Sequence, residues 1–327
     1  MKTIQWGIIG CGDVTEVKSG PAFNKVPDSR LVAVMRRNSL KAEDYARRHN
    51  VPRWYNDAQQ LINDPAVNAV YVATPPLYHE DYTIQALKAG KPVYVEKPMA
   101  LNAVAAERMQ QVAEETGVPL TVAHYRREQP LFLKVKSLLQ ERAIGDIRLA
   151  QLQLWQPQTP PIVAQTEENW RIQPGISGGG LFHDFAPHQL DLMYYFFGKP
   201  DKASGISFNQ AGWYDADDVI SGQVVFEKGI LCTGTWSFSV AASEKRDICE
   251  IVGSEGSIYF PIFENRQFTI RKNGQEEAIT FSPLEHVQQP MIAKVVQYFL
   301  GKGPNPCSAE EGVEVMKLME AFTKKKG

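Results

Sequence analysis

Ile4-Gln-Trp-Gly-Ile-Ile9-Gly10-Cys-Gly12-Asp13-Val14-Thr15 is the stretch whose reading decides the fold. Its first six residues are mostly apolar, as in a buried strand, and they run into two glycines and a helix start. In that setting a G-x-G pattern carries chemistry. Glycine lets the main chain approach a pyrophosphate, and the N–H groups of the helix N-terminus, at Asp13 and Val14, hold its charge. Thr15 stands where a third Gly or Ala is usual, and Gly20-Pro21 follows, so the helix is expected to be short or bent.

Downstream the strand and helix patterns alternate. A strand over 30–35 ends in Arg36-Arg37-Asn38-Ser39, about 20 residues past the glycines, where a dinucleotide fold reads the ribose. An acid there would accept from a free 2′-hydroxyl and repel a 2′-phosphate. Arg36 and Arg37 offer guanidinium forks instead, with Ser39 and Lys41 as further donors, so NADP is favoured and NAD stays possible. A capped helix starting at Asn56 and running to 63, an apolar strand over 67–73, the segment Thr74-Pro75-Pro-Leu-Tyr-His79 and a helix over 80–89 stopping at Gly90 come next. A strand then ends in Glu96-Lys97-Pro98, Asn102 caps a helix to Gly117, and 120–123 is a last strand. Such a βαβ series predicts a parallel sheet with helices on both faces.

Beyond 123 the pattern changes class. A helix over 130–142 and a strand over 147–155 precede a polar, proline-rich loop over 156–174 that carries Trp170 and Arg171. Strands over 203–209, 218–226, 230–240, 246–252, 256–261 and 267–271 are separated by short turns, so a mostly antiparallel sheet is expected. Helices over 290–300 and 309–323 close the chain. Between loop and strands lies Gly178-Gly-Gly-Leu-Phe-His183-Asp184-Phe-Ala-Pro187-His188-Gln-Leu-Asp191-Leu-Met-Tyr-Tyr195. At roughly 100° per residue, Asp184, His188, Asp191 and Tyr195 share an arc of about 60°, opposite Phe182, Phe185, Leu190 and Met193. Asp184 also suits an N-cap, with Pro187 in the first turn of a helix over 184–197.

Composition narrows the function. A formal charge of -2 gives no electrostatic footprint for nucleic acid or an anionic membrane. Cys11, Cys232, Cys249 and Cys307 lie far apart, without disulfide or zinc spacing. With no signal-peptide pattern at Met1 and no apolar run of about 18 residues, the chain reads as cytoplasmic.

Taken together the motifs resemble the Gfo/Idh/MocA oxidoreductases. The ordered set is Gly-Ile-Ile-Gly10-Cys-Gly12, Ala73 to His79, Glu96-Lys97-Pro98, His124-Tyr-Arg-Arg127-Glu-Gln-Pro130, Asn169-Trp170-Arg171, and Gly178-Gly-Gly followed by Asp184, His188 and Asp191. The resemblance implies a Rossmann domain over 1–123 and an α+β domain over 124–327 with a large, open, mostly antiparallel sheet. The final helix, over 309–323, is expected to pack back on the first domain. It implies nicotinamide-linked redox chemistry on a sugar, cyclic polyol or related diol, and cofactor contacts at Gly10, Gly12, Asp13, Val14, Arg36, Arg37, Ser39, Thr74, Pro75, His79, Glu96 and Lys97. It further implies catalysis by Lys97, Asp184 and His188.

Hydride transfer at a carbinol carbon also requires the hydroxyl proton to leave, so a positioned acid/base is needed. His188 suits that task, with Asp184 orienting its ring, Lys97 polarising the same oxygen and Glu96 positioning. Arg127, Trp170 and Arg171 are candidate substrate contacts, together with Asp184 and His188, and Asp191 a support for its helix. The position of Lys97 after a strand of the first domain places the site in an interdomain cleft. No metal is expected, although His183, Asp184, His188 and Asp191 would be the ligands of a metal-dependent hydrolase. Redox-assisted glycoside elimination with retained NAD and a non-catalytic cofactor sensor remain open. Self-association as a homodimer or homotetramer is expected through the outer face of the second sheet, whose strands over 222–226 and 230–236 read as apolar on both alternating sets.

Overall fold

The computed structural model describes residues 2–161, 169–264 and 266–323. The chain forms two compact units: Met1–Arg126 with Leu284–Met316, and Arg127–Pro283 with Lys317–Gly327. The sequence reading drew the boundary at 123 and let the helix over 309–323 pack back on the first domain, and the first unit takes in Leu284–Met316.

The first unit alternates β1 (Ile4–Ile9), α1 (Asp13–Val17), β2 (Ser29–Met35), α2 (Ser39–Arg48), β3 (Arg53–Tyr55), α3 (Ala58–Asn63), β4 (Ala69–Val72), α4 (His79–Lys88), β5 (Val93–Val95), α5 (Ala103–Thr116) and β6 (Leu120–Val122). The strands form one parallel sheet in the order β3-β2-β1-β4-β5-β6. Trp6, Ile8, Val70, Tyr71, Val93 and Tyr94 are wholly buried, as expected where helices cover both faces. α1 stops after five residues, followed by a 3-10 turn from Gly20 to Asn24. Asp57, not Asn56, caps α3, its side chain accepting from Gln60 N. The returning segment is tied in by His286 Nδ1, 2.7 Å from Val17 O, and by Val122 N donating to Cys307 O.

The second unit holds α6 (Pro130–Gln140), β7 (Ile147–Trp155), α7 (Pro174–Ser177), α8 (Gly180–Phe197), β8 (Pro200–Phe208), β9 (Val219–Phe226), β10 (Ile230–Ser237), β11 (Arg246–Gly253), β12 (Gly256–Phe260), β13 (Gln267–Lys272) and β14 (Gln275–Thr280). Its eight strands run in the order β14-β13-β12-β11-β7-β10-β9-β8, with β7 and β10 parallel and the other neighbours antiparallel. α9 (Gln289–Phe299) and the first part of α10 (Ala309–Thr323) belong to the first unit, and the last turns of α10 to the second. There Phe322 lies against Gly205 and Gly222, paired across β8 and β9, where any Cβ would come within 2.7 Å of it.

Two expectations are corrected. α8 begins at Gly180 rather than after Asp184, with Gly179 at the N-cap and Pro187 inside the helix, so Asp184 is not the cap. Only glycine suits φ +74° at Gly180, where a Cβ would also meet Ala216 at 2.3 Å. Every α8 residue except Asp184, Tyr195 and Phe196 is buried. On the outward face of β9 and β10, Ser221, Gln223, Thr233 and Thr235 stand beside Val225 and Leu231, so that set is mixed rather than apolar, while Ile220, Val224, Cys232 and Trp236 on the other set are buried. The apolar exposure at that face is concentrated at Ile206, Phe208 and Leu231. Of the loop over 156–174, residues 162–168 fall outside the described residues, as does the 324–327 end.

Candidate active site

β1 passes to α1 through Gly10, which sits at φ +95° and where a Cβ would lie 2.8 Å from Thr74 N. The N–H groups of Gly10 and Cys11 reach Met35 O at 2.9 and 3.2 Å, fixing the turn against the end of β2. Gly12 differs. A Cβ there would meet nothing nearer than Gly10 O at 3.9 Å, and Gly12 caps α1 without a side-chain bond. Packing does not demand glycine at 12, whereas a ligand laid along the main chain does. With Asp13 exposed and Val14 half-buried in the first turn of α1, the turn fits a dinucleotide pyrophosphate. Thr15 is explained by its hydroxyl, which donates to Gly12 O at 2.7 Å, while its carbonyl accepts from Tyr45 Oη at 2.8 Å. The close approach has moved to Gly20, where a Cβ would come 2.2 Å from Thr15 O and from Tyr45 Oη.

At the end of β2, Arg36 Nη1 donates to Cys11 O at 3.3 Å, so this guanidinium lies beside the glycine turn. Arg37 stacks over the Tyr78 ring, 4.7 Å from its centroid. Ser39 opens α2, capped by Asn38, whose side chain accepts from Lys41 N.

The ends of β4 and β5 are joined by one ring. His79 is fully buried, with Nδ1 2.9 Å from Pro98 O and Nε2 2.7 Å from Thr74 O. Carbonyls only accept, and a neutral imidazole can donate to one of the two; burial nonetheless pulls its pKa below the usual value, against the pull of both carbonyls. His79, expected among the cofactor contacts, is therefore spent on the main chain that carries Thr74, Pro75 and Lys97. Glu96 is also buried: Tyr71 Oη donates to its Oε1, Gln288 Nε2 reaches the same oxygen at 2.6 Å, and Lys97 N donates to Oε2 at 3.1 Å. Burial, then the Glu96 carboxylate, holds the Tyr71 phenol well above its ordinary pKa, so it stays a donor. Lys97 itself is half-buried.

In the second unit, Arg171 lies over Trp170, 4.6 Å from the ring, and its Nε is 3.2 Å from Asp184 Oδ2. Asp184 and His188 are one turn apart on α8, hence neighbours on its surface. His188 is 5% exposed and lies edge-on to Phe263, 5.7 Å between centroids. His183 is a core residue whose pKa burial lowers to about 4, so it is neutral near pH 7. Asp191 takes Arg127 Nη2 at 2.7 Å and Nε at 3.0 Å, both residues 1% exposed, and Arg127 stacks on Tyr195. Arg127, expected to touch substrate, thus has its guanidinium on Asp191, within the protein. Among the described residues no group of three or more His, Cys, Asp or Glu side chains is placed to hold a metal ion.

Within the first unit the glycine turn, Arg36, Thr74, Glu96 and Lys97 are linked through short contacts, and within the second Trp170, Arg171 and Asp184 are. Tyr71 and Gln288 were not foreseen. A tyrosine in an otherwise aliphatic strand was the available signal for the first, and 192 residues separate Gln288 from Glu96.

A family model described as "Oxidoreductase family, NAD-binding Rossmann fold" matches residues 4–124, and one described as "GFO/IDH/MocA C-terminal domain" matches 132–259. An oxidoreductase of Formosa agariphila is 48% identical over 321 residues, 98% of each chain. The scyllo-inositol 2-dehydrogenase (NADP(+)) of Bacillus subtilis is 31% identical over 198 residues, 61% of this chain and 53% of that one. Levoglucosan dehydrogenase in complex with NADH shares the fold, at TM-score 0.88 and 21% identity over 98% of this chain and 96% of that one. The glycine turn at the end of β1 and the second sheet after it are accordingly the two halves of one architecture, and the chain belongs to the Gfo/Idh/MocA family of NAD-binding oxidoreductases.

Proposed function

We propose that the chain is an NADP-favouring dehydrogenase or reductase that moves a hydride to or from a carbinol carbon of a sugar, cyclic polyol or related diol. Bound along the Gly10–Gly12 turn, the nicotinamide dinucleotide supplies the hydride acceptor or donor. Lys97 hydrogen-bonds the reacting oxygen and polarises it, its main chain held by Glu96 and, through Pro98 O, by His79. His188 takes the hydroxyl proton during oxidation and returns it during reduction, and Asp184, one turn earlier on α8, stabilises the charged ring. Arg171, resting on Trp170, holds a substrate hydroxyl, while Arg127 and Asp191 hold α8. The substrate class is supported by the names of the Bacillus subtilis relative and of levoglucosan dehydrogenase.

The observation that carries the reading is Gly12, a glycine that the protein's own packing does not require, at the N-cap of α1 beside Arg36. The test is a screen of NADP(H) and NAD(H) turnover across aldoses, ketoses, anhydro sugars, inositols and dihydrodiols. Turnover with at least one class, tighter binding of NADPH than NADH, and loss of that preference in Arg36→Asp are expected. Equal affinities in the wild type would refute the cofactor choice, and tightly retained, non-exchanging NAD would point to redox-assisted elimination.

We further propose that copies associate through the outward face of the second sheet. Ile206 is 58% exposed and Phe208 44%, in a row of β-strand positions that a second copy would cover. Sedimentation at micromolar concentration should show a dimer or tetramer, and a monomer would count against the surface. The four cysteines are buried thiols outside any disulfide, in keeping with the cytoplasmic location we propose.

A further inference from the structure

Two arginines follow β2, and they are held differently. Arg36 leans on a main-chain carbonyl of the glycine turn, at 3.3 Å. Arg37, exposed and on a loop, would ordinarily sample many rotamers, yet its guanidinium carbon lies over the Tyr78 ring, 4.7 Å from the centroid, with Nη1 3.5 Å from Tyr78 Oη. Tyr78 ends the short 3-10 turn Pro76–Tyr78 that follows β4. In the sheet order β2-β1-β4, the turns after β2 and β4 flank the turn after β1. The Arg37–Tyr78 stack therefore bridges the two turns on either side of the Gly10–Gly12 loop.

We infer that Tyr78 is a specificity-determining residue for the cofactor: it presents Arg37 to the 2′-phosphate of NADP. The inference rests on the NADP reading above and deepens it. A contact over the ring uses the face of a guanidinium, while its five N–H donors lie in the plane, so with one donor of Nη1 directed at Tyr78 Oη the other four remain for phosphate oxygens. Tyr78 also fixes a side chain whose rotamers a ligand would otherwise have to order, and NAD, with a 2′-hydroxyl, gains nothing from that ordering. The ring thus contributes to the difference between the cofactors rather than to dinucleotide binding in general. Tyr78 is half-buried and outside the core, so its replacement leaves the fold intact.

The test uses the whole protein and two probes that need no substrate, 2′,5′-ADP and 5′-AMP, with NADPH and NADH alongside. Tyr78→Leu should weaken 2′,5′-ADP and NADPH by about three- to tenfold and leave 5′-AMP and NADH within twofold. Tyr78→Phe should retain most of the wild-type preference, because the ring is kept. Arg37→Leu and Tyr78→Leu should not add in the double variant, since both remove one contact. Equal weakening of 5′-AMP and 2′,5′-ADP would make Tyr78 a wall for adenine and overturn the inference, as would additive losses. An unchanged preference in Tyr78→Leu overturns it too, with the NADP reading intact. A wild type that binds 2′,5′-ADP no better than 5′-AMP overturns the NADP reading and the inference together.

Discussion

Asp191→Asn removes one charge from the middle of α8 at almost constant volume. The partner guanidinium of Arg127 is 1% exposed, and Lys136 Nζ stands 3.3 Å from the centroid of the Tyr195 ring on which Arg127 also stacks. The variant leaves the buried Arg127 guanidinium facing a neutral amide where bulk solvent screens its charge little. Removing one partner of such a buried pair costs about 3–5 kcal/mol, several times the effect of a surface pair. In a unit of this size each kcal/mol moves the midpoint by about 2–4 °C, so calorimetry should show a fall of roughly 6–20 °C. The double replacement Arg127→Leu with Asp191→Leu removes both charges together and should recover much of the loss, because the desolvation penalty disappears with them. A single-variant loss below about 1 kcal/mol, or a double variant as unstable as the sum of the singles, would refute the structural assignment of the pair.

Gly12→Ala should leave the thermal midpoint almost unchanged and weaken NADPH about tenfold, whereas Gly20→Ala, whose Cβ would lie 2.2 Å from Thr15 O, should cost about 1–3 kcal/mol of stability; the opposite ranking would remove the case for Gly12 as a ligand contact. His183 has a folded pKa of about 4 against an ordinary 6.5, so the unfolded chain binds the extra proton first and stability falls as pH drops from about 6.5 towards 4. Urea denaturation at pH 7 and pH 5 should show a slope of about 1 kcal/mol or more per pH unit that His183→Phe reduces, and equal slopes would show the residue is not buried neutral.

Local features carried most of the legible structure. β1, its glycine turn, the Gly117 end of α5 and the span of β7 were readable because strand period and glycine punctuation act over a few residues. The start of α8 was not, because Pro187 looked like a first-turn residue. A helix buried on nearly every side can carry an internal proline, as tertiary packing offsets one missing hydrogen bond, and Gly180 against Ala216 sets the true beginning. β14, Gln-Glu-Glu-Ala-Ile-Thr at a sheet edge, was missed since an exposed edge strand needs no apolar alternation. Among the candidate site residues, Lys97, Asp184 and His188 were singled out by chemical type alone. What holds their surroundings was not: Arg127 and Asp191 are 64 residues apart, and Gln288 reaches Glu96 from the returning segment.

The central claim is that Lys97 and His188 handle the proton during hydride transfer. Its most direct test is turnover, followed by NADPH absorbance on a substrate found in the screen, for wild type, Lys97→Ala and His188→Ala, with NADPH affinity measured on the same preparations. Turnover should fall about 10² or more in each variant while affinity stays within a few-fold, since both groups act on the reacting oxygen in the transition state. Near-normal turnover in both variants would contradict the claim and leave α8 a structural helix.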